Sequence, residues 1–219
     1  LLLGNAGLNT QYRATQQEPL TIHVNDFDGN GSMDPIVSYF IQGVSYPMAS
    51  RDELLDQMAF LRQKYTRYAA YANATLETMF TNDQIKKSTV LKCNEARTLV
   101  FLNNNNLTFS LKELPLEAQF SKTSSILSGD YDRDGRNDLV LLGNFFPYRT
   151  ELGESDASVG LLLRGTGNGN FVPVPSADAG LFAGGDVRGV VVVKNVRGNQ
   201  KIVFAKNNVG VQVISIRSF

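Results

Sequence analysis

The sequence predicts a mainly β chain: about three repeated strand units with one α-helical insert. Three observations carry this. Gly is frequent, 19 of 219 residues, and falls mostly between short apolar runs, the pattern of strands joined by tight turns. An apolar run followed by a Gly/Asn-rich turn occurs three times. Two runs of alternating acidic residues, each flanked by strand-like sequence, stand in equivalent places behind those turns.

The turns come first in chain order. Leu1-Leu2-Leu3-Gly4-Asn5-Ala6-Gly7 predicts a β-hairpin, as does Val100-Phe101-Leu102-Asn103-Asn104-Asn105-Asn106, closed by Phe109. The third is Leu161-Leu162-Leu163-Arg164-Gly165-Thr166-Gly167-Asn168-Gly169-Asn170-Phe171. Asn and Gly tolerate the positive φ that tight hairpin turns require. An acidic position follows each at a similar distance: 22 residues from Gly4 to Asp26, 27 from Asn103 to Asp130, and 22 from Arg164 to Asp186. The third, Gly185-Asp186-Val187-Arg188-Gly189, keeps one Asp and is read as an eroded copy. An apolar strand follows each: Ile36 to Ile41, Leu139 to Leu142, and Val190 to Val193. Phe204, Val209, Val211, Val213 and Ile216 supply the last strands.

Residues 50–96 differ in kind. Ser50-Arg51-Asp52-Glu53 is a capping box, in which the Ser accepts from a backbone N–H three residues on and the Glu reaches back. Leu54, Leu55, Met58, Leu61, Tyr65 and Tyr68 then recur at helical spacing. A shorter helix opens at Asn73-Ala74-Thr75-Leu76 and a third at Thr81-Asn82-Asp83-Gln84. This predicts an α-helical insertion over 50–96 within a segment that spans 1–219. The acidic runs start 104 residues apart, and removing the 47-residue insert leaves a unit of about 57, near propeller-type repeat lengths of about 40–50.

Bulk properties exclude some partners. The formal net charge is zero, which argues against an electrostatic nucleic-acid binder. No apolar stretch approaches the roughly 18–20 residues of a spanning helix, so no transmembrane segment is expected. One cysteine, Cys93, precludes an internal disulfide. The chain begins at Leu1 without a basic n-region, as expected of an excised or processed fragment.

The acidic runs are Asp26-Phe27-Asp28-Gly29-Asn30-Gly31-Ser32-Met33-Asp34 and Asp130-Tyr131-Asp132-Arg133-Asp134-Gly135-Arg136-Asn137-Asp138. Both fit D-x-D-x-[DN]-G-x-x-D. Positions 1, 3 and 5 of a tight loop turn side chains inward, Gly at 6 permits the bend, 7 offers a backbone carbonyl, and 9 returns a carboxylate. The expected ligands are Asp26, Asp28, Asn30 and Asp34 with the Ser32 carbonyl, and Asp130, Asp132, Asp134 and Asp138 with the Arg136 carbonyl. Such oxygen-only sets suit Ca2+, giving two sites. Magnesium dehydrates reluctantly, and zinc lacks ligands beyond His23 and Cys93. An EF-hand requires Glu at position 12, where Val37 and Leu141 stand, and helical rather than strand-like flanks.

With its flanking strands, this pattern resembles the FG-GAP/VCBS repeat. Asp130 to Gly143 is a close match; Asp26 to Ile41 departs at Pro35, where Leu or Ile is usual, and the third copy departs badly. Ser45 to Leu55 resembles a segment of large bacterial, Bacteroidetes-like envelope proteins that carry such repeats and often an ASPIC/UnbV-type domain. The resemblance implies integrin-α-type calcium-bearing blades of a β-propeller. Three repeats fall short of the usual 4–8 blades, so the remainder of a longer propeller chain, or self-association, is expected to complete it. The implied localisation is secreted, periplasmic or cell surface.

The expected function is a noncatalytic, calcium-stabilised propeller segment that binds a protein or glycan partner. The alternative is a carbohydrate-active enzyme, a polysaccharide lyase or hydrolase, on the same framework. G-x-S-x-G, H-E-x-x-H and Walker-type motifs are absent from the sequence. His23 fits a partly buried, hydrogen-bonded strand histidine better than a base, and Cys93 an inert packed thiol. Tyr65, Tyr68 and Tyr71 fit helix packing better than a binding face.

Overall fold

The computed structural model describes residues 1–149, 152–194, 196 and 200–215. The chain divides into two compact units. One comprises Leu1–Thr10 and Arg97–Phe219, the other Gln11–Ala96. The fold is mainly β; the described residues form four antiparallel sheets, none of which closes on itself among them.

In the first unit, β1 (Leu2–Leu3) pairs with β6 (Leu99–Asn103), which pairs in turn with β7 (Phe109–Glu113). The expected hairpin at Leu1 to Gly7 is therefore not formed. The run is too short to fold back, and its amides bond instead to distant strands: the Phe101 N–H donates to the Leu1 carbonyl and the Thr123 N–H to that of Asn5, each at 2.8 Å. The other two hairpins form as expected. One is β6–β7; the other is β10 (Leu161–Gly167) with β11 (Asn170–Val174), bulged between Gly165 and Gly167.

The second sheet is a meander of β8 (Thr123–Gly129), β9 (Asp138–Gly143), β10 and β11. Every residue of β9 is buried, and its side chains alternate between two cores as strand geometry requires. Leu139 and Leu141 pack with Val100 and Leu163 on one face. Val140 and Leu142 pack on the other with Leu181, Ile202, Phe204 and Val187. The middle sheet is thus covered on both faces. The covering on the second face is a three-stranded sheet, β12 (Val187–Lys194), β13 (Gln200–Lys206) and β14 (Gln212–Ser215). Phe204 and Val213 lie on β13 and β14, Val209 and Val211 precede β14, and Ile216 lies outside the described residues.

The second unit holds β2 (Leu20–Asn25), β3 (Asp34–Ile41) and β4 (Val44–Pro47) in a meander. Capping boxes start three of its helices: Ser50 before α1 (Arg51–Gln57), as the sequence predicts, Thr75 before α3 (Leu76–Met79), two residues beyond the expected opening at Asn73, and Thr81 before α4 (Asn82–Lys87), where a third helix is expected. A single turn, α2 (Tyr68–Tyr71), lies between. The insert is not helical to residue 96, because Thr89–Cys93 forms β5 and pairs with β2. Thr89 and Val90 are β-branched, which favours a strand over continuing α4. Leu54, Leu55, Met58, Leu61, Tyr65 and Phe80 form the core, together with Phe27 of the first acidic run. Tyr65 and Tyr71 pack edge to face at 5.6 Å, whereas Tyr68 is exposed. The last helix among the described residues, α5 (Ser176–Ala179), belongs to the first unit.

Candidate metal centres

Each acidic run is the turn of a hairpin. In one, Asn25 pairs with Asp34 as β2 passes to β3; in the other, Gly129 pairs with Asp138 as β8 passes to β9. The same register therefore closes both loops, and local bonding follows suit. The N–H of Phe27 donates to Asp34 Oδ2 at 3.0 Å, and that of Tyr131 to Asp138 Oδ2 at 2.9 Å. Asp26 accepts from the N–H groups of Asn30 and Gly31 at 3.0 and 2.9 Å; Asp130 accepts from Asp134 and Gly135 at 3.1 and 3.0 Å. The position-5 N–H also reaches position 3, and position 7 donates to position 5, in both loops. Gly31 and Gly135 take φ of 86° and 85°, the left-handed bend that position 6 demands.

This scaffold gathers carboxylates. One oxygen each from Asp26, Asp28 and Asp34 lies within 4.8 Å of the others, and Asp130, Asp132 and Asp138 do the same. Like charges at that spacing repel by about 1 kcal/mol per pair in water and about 3 kcal/mol at an effective dielectric of 20. A cation between them converts the repulsion to attraction. The donors are all oxygen, so the sets fit a hard divalent ion rather than zinc or copper.

The remaining predicted ligands are placed differently. Asn30 Oδ1 accepts from the Ser32 N–H at 2.7 Å, and its amide nitrogen donates to Asp28. Asp134 lies outside the three-carboxylate group: one oxygen accepts from the Arg136 N–H and the other from the Arg136 guanidinium. The Arg136 N–H, aided by that guanidinium, holds the Asp134 carboxyl below its ordinary range. The backbone N–H groups of Ser32 and Arg136 are the position-7 donors of the two loops.

Residues that the motif does not name fix each loop to its surroundings. Position 2 is an aromatic anchor. Phe27 is buried and stacks on Phe80 at 4.1 Å, and Tyr131 packs against the second core of its unit. Gln57 of α1 donates to Asp34 Oδ1 at 2.8 Å, and Gln84 of α4 donates to the Phe27 carbonyl at 2.8 Å. In the other loop Gly165 of β10 is held twice: its N–H donates to Asp138 Oδ1 at 2.9 Å, and its carbonyl accepts from Arg136 Nε at 3.1 Å. A Cβ at residue 165 would stand 2.2 Å from the Asn137 carbonyl oxygen, so only glycine fits. The apolar residues at position 2 were visible signals in the sequence; Gln57, Gln84 and Gly165 are brought in by tertiary structure alone. Beside this second loop a cavity of about 210 Å³ is lined by Tyr131, Asp132, Asp138, Leu162 and Arg164.

The third acidic position lacks the scaffold. Asp186 is preceded by a loop after α5 rather than by a strand, so no hairpin carries it. Its side chain is sealed from solvent, and Oδ2 accepts from Arg188 at 2.7 Å, a guanidinium standing beside the lone carboxylate. His23 lies half-buried on β2 with Nδ1 lacking a hydrogen-bond partner among the described residues, unlike the bonded histidine expected. Cys93 is exposed rather than packed, because every residue of β5 faces solvent. No helix among the described residues is long and apolar enough to cross a membrane. No protein-family model, curated protein or solved structure matches the chain.

Proposed function

We propose that the chain is a noncatalytic, calcium-stabilised segment of β-propeller blades from a secreted or cell-envelope protein, binding a protein or glycan partner. The observation that carries the metal reading is the duplicated loop. Two hairpins far apart in sequence repeat one hydrogen-bond set and gather carboxylates from the same three loop positions. Blade character is supported by the meander β8–β11, packed face to face between two neighbouring sheets. The carboxylates already accept from loop N–H groups, which suits them to fixing an ion and not to carrying protons. Calcium supplies the charge that lets three carboxylates sit together and ties the strand-joining turns shut. Weak extracellular sites, with Kd of about 10⁻⁴–10⁻³ M, match an envelope location.

Thermal melts in calcium, in magnesium and in EGTA test this. Ligand at about 100 times Kd adds about 2.7 kcal/mol per site, so calcium raises Tm by several degrees and magnesium by much less. Superimposable calcium and EGTA curves would sink the metal reading. Calcium-dependent cleavage of an acidic polysaccharide would replace the binding role with the enzymatic one.

A further inference from the structure

A second charged cluster lies in the unit of Leu1–Thr10 and Arg97–Phe219, apart from the acidic loops. Its centre is the ring of Phe145. Lys122 Nζ stands 4.2 Å from the ring centroid and Arg188 Cζ 4.8 Å from it. These distances confine the two positive charges to within about 9 Å of each other. Tyr148 closes the ring edge-on, at 5.0 Å and 82°.

The arrangement is built by three separate segments. The Lys122 carbonyl, just ahead of β8, accepts from the Asn144 N–H at 2.9 Å. Phe145 exchanges backbone hydrogen bonds with Ser155 in both directions. Arg188, on β12, is tethered to the sealed Asp186. The cation–π contacts draw both side chains to one platform.

The charges do not balance locally. Asp186 is the carboxylate paired with Arg188, and its Oδ2 also accepts from Asn207 at 3.4 Å. The Lys122 ammonium is half-buried and donates no hydrogen bond to any described residue. Arg188 gives one N–H to Asp186 and keeps its other donors. Among the described residues of this cluster, two cations against one carboxylate leave one positive charge and several unmatched N–H donors. Burial pulls the Lys122 pKa down, Arg188 adds to this and Asp186 opposes it.

We propose that Lys122 and Arg188 form a binding site for a single oxyanion group, a carboxylate, sulfate or phosphate, presented by the ligand of this protein. The anion supplies acceptors to both cations and neutralises the excess charge. The site is independent of the calcium loops and stands or falls separately from them.

The test is a titration of the full chain in EGTA, at constant ionic strength, with inorganic sulfate and separately with glucuronate. The readout is the NMR resonances of the Lys122 and Arg188 side-chain nitrogens. Saturable shifts are expected at both. Lys122→Gln weakens affinity by about tenfold, the scale of one charge-assisted hydrogen bond; Arg188→Lys weakens it less while preserving the charge beside Asp186. Saturation by sulfate assigns a tetrahedral oxyanion and saturation by glucuronate a uronate carboxylate; either supports the site. Shifts that grow linearly without saturating, or saturation unchanged in Lys122→Gln, mean an adventitious ion only and overturn it.

Discussion

At the residue scale, the last aspartate of each acidic loop does two jobs. Asp138 contributes to the three-carboxylate group and also accepts from the N–H groups of Tyr131 and Gly165. It is 2% exposed, so those donors have no water to turn to when it is removed. Asp138→Ala should cost about 2–3 kcal/mol even without metal, and it should abolish the calcium increment of that loop. Asp134→Ala should cost much less, because it is exposed and its partner Arg136 is a surface group. Urea unfolding of both variants, with and without calcium, checks this; equal losses would show that Asp138 is only another loop carboxylate. Motif spacing marked both aspartates. It could not rank them, because burial of Asp138 and the departure of Asp134 toward Arg136 depend on neighbours outside the motif.

At the element scale, local chemistry was the most legible. The Ser50 and Thr81 caps each involve residues three apart, so sequence alone located the starts of α1 and α4, whereas α3 was expected from Asn73 and is capped by Thr75. β5 was missed, because its β-branched start is only two residues long and the strand it pairs with, β2, lies almost 70 residues earlier. That pairing helps bury His23, whose register partners are Ile36 and Val90. Burial holds the His23 pKa below 6.5; Glu77 opposes this and Lys92 adds to it. A lowered folded value means that the unfolded chain takes up the proton first. The associated stability is present above pH 6.5 and is lost as pH falls through the folded value. Urea midpoints at about pH 8 and about pH 5 should therefore separate more for the parent than for His23→Leu. Equal separation would mean that other groups carry the whole dependence.

At the scale of the whole molecule, the chain leaves the first unit after Thr10 and re-enters it at Arg97. Repeat spacing predicted successive strand units and did not reveal this return. Its agent is β1, two residues long, whose partner lies about 97 positions away. Short strands carry too little pattern to show where they pair. Deleting residues 1–5 should expose the amides of Phe101 and Thr123 to rapid hydrogen exchange, since the carbonyls of Leu1 and Asn5 protect them. Retained protection would show that those strands close without the N-terminal segment.

The double grip on Gly165 has a mechanical consequence. Through Asp138 and Arg136, the acidic loop holds both backbone polar groups of one residue, in two successive peptide units of the β10–β11 hairpin. Linkage is reciprocal: if the ion stiffens that grip, then pulling the hairpin outward must weaken the ion. The loop would then act as a load-sensitive rivet, releasing calcium under tension on β10 and resetting when the tension ends.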